Sequence, residues 1–562
     1  MTLLEVENLA VRIGANRPLR NIGFSLEAGR ILALTGESGS GKSLTALAVM
    51  GLLPEGAEAT GSIRFDGTEL LGLPEAEMCA LRGRDISMVF QEPMTALNPV
   101  QTIGAQVAEA IRQHEGAGRA EAMERARSAL GRAGLPPETV PPNRYPHELS
   151  GGQRQRAVIA MATALRPKLL IADEPTTALD VTTQAKILDL LRGLAGELGM
   201  AVLLITHDLA VVAGLADDIA VVRAGEIVET APAPELLKAP RHPCTRLLFS
   251  ASAHRVRLPE RRDGAGSGPL LEVSGVSRVF RGRGAAWRRD AIGPAGPGPD
   301  GPLHAVNDVS FSLASGERLG LVGESGCGKS TLARAILGLE PVQAGSIRLG
   351  GAPVFSGHRP NLAVRRRIQA VFQDPYGSFN PRHRMARAIA EPFHLLHPRP
   401  GRAEQHAAVA EALAAVGLSP EDAGKYPHEF SGGQRQRLAI ARALVIRPDL
   451  VIFDEAVSAL DVSVRAQVLD LLADLSARYG LAWLFISHDL GVVRSVTDRV
   501  LVMQAGRIVE EGPSAEVLAR PQHEYTRALV AAVPRLPELG SGGAPPLRPS
   551  TERSSHVRNA SE

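Results

Sequence analysis

The chain has 562 residues, with 62 Lys and Arg against 60 Asp and Glu, and three cysteines. It is too long for one ordinary domain, and its near-neutral balance offers no basic footprint for nucleic acid. Cys79, Cys244 and Cys327 are odd in number and far apart. That fits a reducing compartment and excludes a four-cysteine zinc site or cluster built from this chain alone.

The opening residues, Met1 to Glu7, lack the basic start and apolar stretch of a signal peptide. No later stretch approaches the ~18 uninterrupted apolar residues of a membrane span. The chain is therefore expected to be soluble by itself, with any membrane role supplied through a partner. The apolar run Ile31 to Thr35 then meets Gly36-Glu37-Ser38-Gly39-Ser40-Gly41-Lys42-Ser43, and helical sequence follows from Leu44 to Leu53. Strand, glycine-rich loop and helix form the context that a phosphate-binding loop requires. Gln91 comes next, then Ser150-Gly151-Gly152-Gln153. The apolar run Leu169 to Ala172 ends in Asp173-Glu174, followed by Thr177-Ala178-Leu179-Asp180. Val202 to Ile205 leads to His207. Apolar runs without alternation suit parallel strands covered on both faces, and ligands bind at the loops that follow such strands.

Residues 254–269 read as an interdomain linker, after which the series recurs. Gly323-Glu324-Ser325-Gly326-Cys327-Gly328-Lys329-Ser330 is followed by Gln373, Ser431-Gly432-Gly433-Gln434, Asp454-Glu455, Ser458-Ala459-Leu460-Asp461 and His488. The signature, Asp-Glu and His pairs (431−150, 454−173, 488−207) share one offset of 281 residues. The chain thus divides into domains at 1–253 and 270–535, each of roughly 250 residues and able to bury a substantial core. Residues 281–303, basic and then Gly/Pro-rich, have no counterpart in the first half and read as an extended loop. The polar tail 536–562 reads as disordered.

The chemistry follows from residue types. Glycines let backbone N–H groups turn onto phosphates at a helix N-terminus. Lys42 and Lys329 would reach the β- and γ-phosphates, and the hydroxyls of Ser43 and Ser330 would ligate Mg2+. Gly36, Ser38, Gly39 and Gly41, with Gly323, Ser325, Gly326 and Gly328, complete the two loops, and Leu44 and Thr331 follow them. Asp173 and Asp454 end strands where a carboxylate holds Mg2+ or its water. Glu174 and Glu455 would orient and polarise the attacking water, and His207 and His488 would contact the γ-phosphate. Cys327 lies within the second loop beside a helix N-terminus, which predicts an acidified, alkylatable thiol.

Leu149 to Arg156 and Phe430 to Arg437 resemble the signature of ATP-binding-cassette (ABC) ATPases. The resemblance covers both halves. It implies an α/β fold of two tandem P-loop nucleotide-binding domains, each with a RecA-like core, an antiparallel β subdomain and a helical signature subdomain. It also implies head-to-tail pairing, with each ATP held between one half's P-loop and the other half's signature. Site one would join Lys42, Ser43, Gln91, Asp173, Glu174 and His207 to Ser431, Gly432, Gly433 and Gln434. Site two would join Lys329, Ser330, Gln373, Asp454, Glu455 and His488 to Ser150, Gly151, Gly152 and Gln153. Gln91 and Gln373 would also serve Mg2+, and Asp180 and Asp461 match the D-loop at the seam. Because each site keeps a Glu and a His, both are expected to hydrolyse ATP. Phe280 fits the aromatic that stacks on adenine, whereas Ile13 takes that place in the first half.

Within that family, Phe90 to Pro99, Phe372 to Pro381, Tyr145-Pro146-His147-Glu148 and Tyr426-Pro427-His428-Glu429 look like the oligopeptide, dipeptide and nickel importer ATPases. So do His242-Pro243-Cys244-Thr245 and His523-Glu524-Tyr525-Thr526. The fused arrangement is similar to glutathione and microcin C importers. The resemblance implies a motor for importing peptide-like solutes, peripheral on the cytoplasmic face of a bacterial inner membrane. Its partners would be two integral membrane permease subunits and, indirectly, an extracytoplasmic solute-binding protein, without nucleic acid. ATP and Mg2+ are the expected cofactors, and no iron–sulfur cluster is expected. A soluble tandem ABC ATPase acting on ribosomes or nucleic acid is the alternative; the short linker and scattered cysteines weigh against it.

Overall fold

The computed structural model describes residues 2–177, 179–252, 254, 256–259, 268–280, 302–357, 359–374, 377–458, 460–534 and 536. Most of the linker, nearly all of the 281–303 loop and the tail beyond 536 lie outside the described residues.

Each half is built around a parallel sheet, and the strand order is the same in both. In the first it runs Ile86–Val89, Leu169–Asp173, Ala201–Ile205, Ile31–Thr35, Asp218–Arg223, with Glu226–Pro232 antiparallel at the end. In the second it runs Ile368–Val371, Leu450–Asp454, Ala482–Ile486, Arg318–Val322, Arg499–Gln504 and Arg507–Pro513. The central strands are buried throughout, as their unbroken apolar runs require. Burying a side chain such as Leu203 or Ile205 contributes roughly 1.5–3 kcal/mol. The P-loop strand lies beside the His-bearing strand, which lies beside the Asp-Glu strand. The three parallel carboxyl ends therefore bring the catalytic candidates to one edge.

An antiparallel layer flanks each core. Thr2–Ile13, Asn16–Glu27, Ala57–Phe65 and Thr68–Glu69 form it in the first half. Leu271–Phe280, Leu303–Leu313, Ala344–Leu349 and Ala352–Pro353 form it in the second. A parallel bridge from Glu226 to Asn21 fuses layer and core into ten strands in the first half, whereas the second keeps separate four- and six-stranded sheets. A helical unit completes each half. In the first, helices Ile103–Glu115, Arg119–Arg132 and Gly151–Thr163 enclose a core of their own that includes Val107, Ile111, Leu130 and Leu149. The three parts match the fold expected from the sequence.

The halves meet through reciprocal packing. Helix Pro243–Ser252 of the first packs against Val462–Tyr479 of the second, and Glu524–Ala531 of the second packs against Val181–Leu198 of the first. The described part of the linker is not a free tether. Val256 packs on the second core, His254 Nε2 lies 2.8 Å from Asp470 Oδ1, and the Pro259 carbonyl accepts from Arg318 at 3.0 Å. An apolar residue and two polar contacts hold it down, which composition alone does not reveal. Leu536 packs in return on the first cassette's core.

Candidate functional site

In each P-loop the lysine heads a short helix, Lys42–Val49 or Lys329–Ile336, capped by a glycine at φ 108° (Gly41) or 112° (Gly328). A residue with Cβ is strained in that region. A Cβ on Gly328 would also stand 2.0 Å from the Ala305 carbonyl oxygen. Lys42 Nζ donates to the Gly36 and Glu37 carbonyls at 2.9 and 2.8 Å. Lys329 Nζ repeats this with Gly323 and Glu324 at 2.8 Å each. An ammonium has three donors, so the first loop positions Lys42 and leaves one donor for an anion, while in the second the third donor rests against Cys327 Sγ at 3.8 Å, a weak acceptor that an anion would replace. Burial lowers the pKa of Lys42, opposed by the charges of Glu174, Asp461, Asp173 and Glu37. Leu44 and Thr331 lie half-buried in these helices.

Ser43 Oγ donates to Asp173 Oδ1 at 3.1 Å, and Ser330 Oγ to Asp454 Oδ1 at 3.4 Å. Burial pushes Asp173 up to about 6, with Glu174 adding to the shift and Ser43 and Lys42 opposing it. Asp454 is raised for the same first reason. Such carboxylates are poised to gain from a cation.

Glu174 and Glu455 take the left-handed backbone region, with φ 46° and 51°. Non-glycine residues are uncommon there, and such strain persists only where the surroundings enforce it. Here the Glu174 and Glu455 N–H groups donate to Ile205 and Ile486 on the neighbouring strands, at 2.8 and 2.9 Å. In site one the Glu174 carboxylate accepts from Gln91 Nε2 and Thr177 Oγ1, each at 2.9 Å, and lies 3.0 Å from His207 Nδ1. Burial alone would raise its pKa, but His207, Thr177 and Lys42 outweigh it and hold the carboxyl at about 2. In site two His488 Nδ1 lies 3.4 Å from Glu455 Oε1, while Ser458, at the position of Thr177, turns its hydroxyl to the Glu455 carbonyl. Glu455 is likewise lowered: His488 and Lys329 outweigh burial. Gln373 is exposed just after strand Ile368–Val371. Thr177 was not among the sequence-derived site residues; its only signal was its place three residues after Glu174.

The signature Ser-Gly-Gly-Gln forms a capping box. The Ser150 N–H donates to Gln153 Oε1 at 3.0 Å, and the Gln153 N–H to Ser150 Oγ at 3.3 Å. Ser431 and Gln434 do the same at 3.0 and 3.4 Å. The box starts helices Gly151–Thr163 and Gly432–Leu444, and their first-turn N–H groups, those of Gly151, Gly152, Gly432 and Gly433, have no acceptor within the helix. Gly152 and Gly433 also allow close packing: a Cβ would lie 2.4 Å from Thr183 Cγ2 or 2.3 Å from Val464 Cγ1.

Both cassettes of one chain meet at the P-loops. The Ser38 N–H donates to Asp461 Oδ1 at 3.0 Å. In the reciprocal contact the Ser325 N–H bonds Asp180, and Thr182 Oγ1 donates to Glu324 Oε1 at 2.6 Å. Asp180 also caps its own helix through the Thr183 N–H, whereas Asp461 makes no such cap bond. Phe280 ends strand Leu271–Phe280 with the Arg278 guanidinium 4.7 Å from its ring centroid, so one ring face is already covered. Ile13 ends the matching strand.

The expectation for Cys327 needs correction. Its side chain points into the core and is 7% exposed, and burial raises its pKa despite Lys329 nearby. The helix N-terminus does not outweigh desolvation, so this thiol is not acidified.

Comparison with known proteins places these features. A family model described as "ABC transporter" matches residues 19–177 and 306–458, and one described as "Oligopeptide/dipeptide transporter, C-terminal region" matches 509–555. The chain is 47% identical over 561 residues to the Glutathione import ATP-binding protein GsiA of Escherichia coli (strain K12), covering 95% of this chain and 89% of that protein. The protein of the same name from Shigella sonnei (strain Ss046) matches at the same identity and coverage. Among solved structures, the ATP-binding cassette MJ0796 bound to ADP and Pi aligns at 30% identity and a TM-score of 0.38, over 41% of this chain and 99% of its own.

Proposed function

Because the chain belongs to the ABC transporter family of ATP-binding proteins, we propose that it is the ATP-hydrolysing motor of an importer for small peptides, with two composite ATP sites. The observation that carries this reading is the reciprocal D-loop contact, Asp461 on Ser38 and Asp180 on Ser325, which sets each P-loop against the other cassette. The domains are 1–253 and 270–535, joined by 254–269 and followed by a tail from 536.

In each site the P-loop amides and lysine bind the phosphates, while the first-turn N–H groups of the opposite signature helix face the γ-phosphate. ATP thereby draws the cassettes together. Mg2+ supplies charge neutralisation of the phosphates when bound. Its ligands would be Ser43 and Asp173, or Ser330 and Asp454, with Gln91 or Gln373. The donor set fits: hard oxygens, with Ser43 Oγ and Asp173 Oδ1 already brought within 3.1 Å of each other. Glu174 orients the attacking water, and its strained backbone and bonds to His207, Gln91 and Thr177 hold it in place. Its low pKa makes orientation and charge, rather than strong basicity, its main contribution. Phe280 stacks adenine on its uncovered face.

No helix among the described residues is long and apolar enough to cross a membrane. Coupling to transport therefore falls to two permease subunits, which dock along the region from Gln91 or Gln373 to the signatures, at the cytoplasmic face of the inner membrane. Phe90 and Phe372 are exposed at matching places there, at 39% and 40%, each just before its Gln, so each cassette offers an aromatic ring to a docking subunit. Glutathione import in the names of the 47% identical relatives points to a solute of that class, delivered by an extracytoplasmic binding protein. The test is affinity purification from gently solubilised native membranes with mass spectrometry. Two multi-span subunits and a solute-binding protein are expected; recovery with ribosomes or nucleic acid alone would overturn the importer reading.

A further inference from the structure

The helix that follows each cassette begins at a matching place but with different residues: Cys244 in the first, Tyr525 in the second. Tyr525 is 9% exposed, and its hydroxyl accepts the Glu324 N–H of the second P-loop at 2.8 Å. Glu324 is also the residue whose carboxylate accepts Thr182 Oγ1 from the first cassette. One phenol thus holds the backbone of the loop residue that makes the inter-cassette contact.

Among the described residues the first cassette shows no such brace. Cys244 Sγ accepts from Arg223 instead. Where the phenol would reach, a cavity of about 20 Å³ remains between Gly36, Glu37, Val222, Cys244 and Leu248. A cavity of that size has room for a single water, not a side chain. The two P-loops, near-identical in sequence, are therefore supported differently from below.

We infer that Tyr525 is a positioning residue for the second P-loop and that the two ATP sites are braced unequally, the Lys329 site depending on this hydroxyl and the Lys42 site not. A loop held in its binding conformation loses less freedom when the phosphates arrive. The inference rests on the assignment of both loops as ATP sites, and its test keeps the two separable.

Tyr525→Phe removes one oxygen and keeps the buried ring. It is made in two full-length parents, K42A, in which the Lys329 site reports, and K329A, in which the Lys42 site reports. Equilibrium binding of a fluorescent trinitrophenyl-ATP is measured in each, with the thermal midpoint. Loss of one buried hydrogen bond corresponds to about a fivefold rise in Kd. That rise is expected in the K42A parent, with the K329A parent unchanged. A purely structural role would shift both parents together with their thermal midpoints, and equal shifts, or none, would overturn the inference alone. Failure of both parents to bind nucleotide before Tyr525 is touched would overturn the inference together with the ATP-site assignment.

Discussion

Replacing Glu174 and Glu455 together by Gln is expected to lower steady-state ATP turnover by about 10²–10⁴-fold while ATP binding stays within a few-fold of the parent. Gln keeps the volume and most of the hydrogen bonds but loses the charge to which the proposed function assigns polarisation of the attacking water. The conformation at stake is unusual: Glu174 sits at φ 46° with its carboxylate held by Gln91, Thr177 and His207. Each single variant is expected to retain about half the turnover if both sites work independently. Phosphate release and radiolabelled ATP binding, measured on the same preparations, separate the two effects. Parental turnover in the double variant would remove these carboxylates from the reaction.

A substitution in one cassette is expected to disable the ATP site on the other. Asp is as good an N-cap as Ser, so Ser431→Asp should preserve the signature helix. It also sets a carboxylate where the composite site places the γ-phosphate. Two unit charges about 4 Å apart at an effective dielectric near 20 repel by about 4 kcal/mol. Vanadate-trapped photoaffinity nucleotide, mapped after cleavage in the linker, should then vanish from the first cassette's P-loop in Ser431→Asp and from the second's in Ser150→Asp, by at least about tenfold. Loss of trapping in the same cassette as the substitution would mean that the sites are not composite.

Much of this architecture was legible because the chemistry is local. The P-loops, Asp-Glu ends and His-bearing strands are short motifs on buried strands, and their recurrence in the same order announced the duplication that the two matching sheets display. What escaped was set by tertiary contact. The left-handed backbone of Glu174 depends on Ile205 from a neighbouring strand, and no residue type announces it. Cys327 was read from its place beside a helix N-terminus, but the depth of the loop decides its pKa. Residues 254–259 look like tether by composition, yet Val256 and His254 dock on the second cassette. The fusion of the first half's two sheets rests on a single bridge, Glu226 to Asn21, a register detail beyond pattern reading.

The central claim is that the two cassettes of one chain close on each other, with each D-loop against the opposite P-loop. Ser38 and Asp461 give the most direct test, because the Ser38 N–H and Asp461 Oδ1 are 3.0 Å apart across the seam. In a background with Cys79, Cys244 and Cys327 replaced by Ser, S38C and D461C are combined and oxidised in the presence of ATP. The account predicts an intrachain disulfide: the monomer mass is kept, and digestion yields a linked peptide pair. A covalent dimer, or free thiols under conditions that oxidise an exposed control pair, would contradict it.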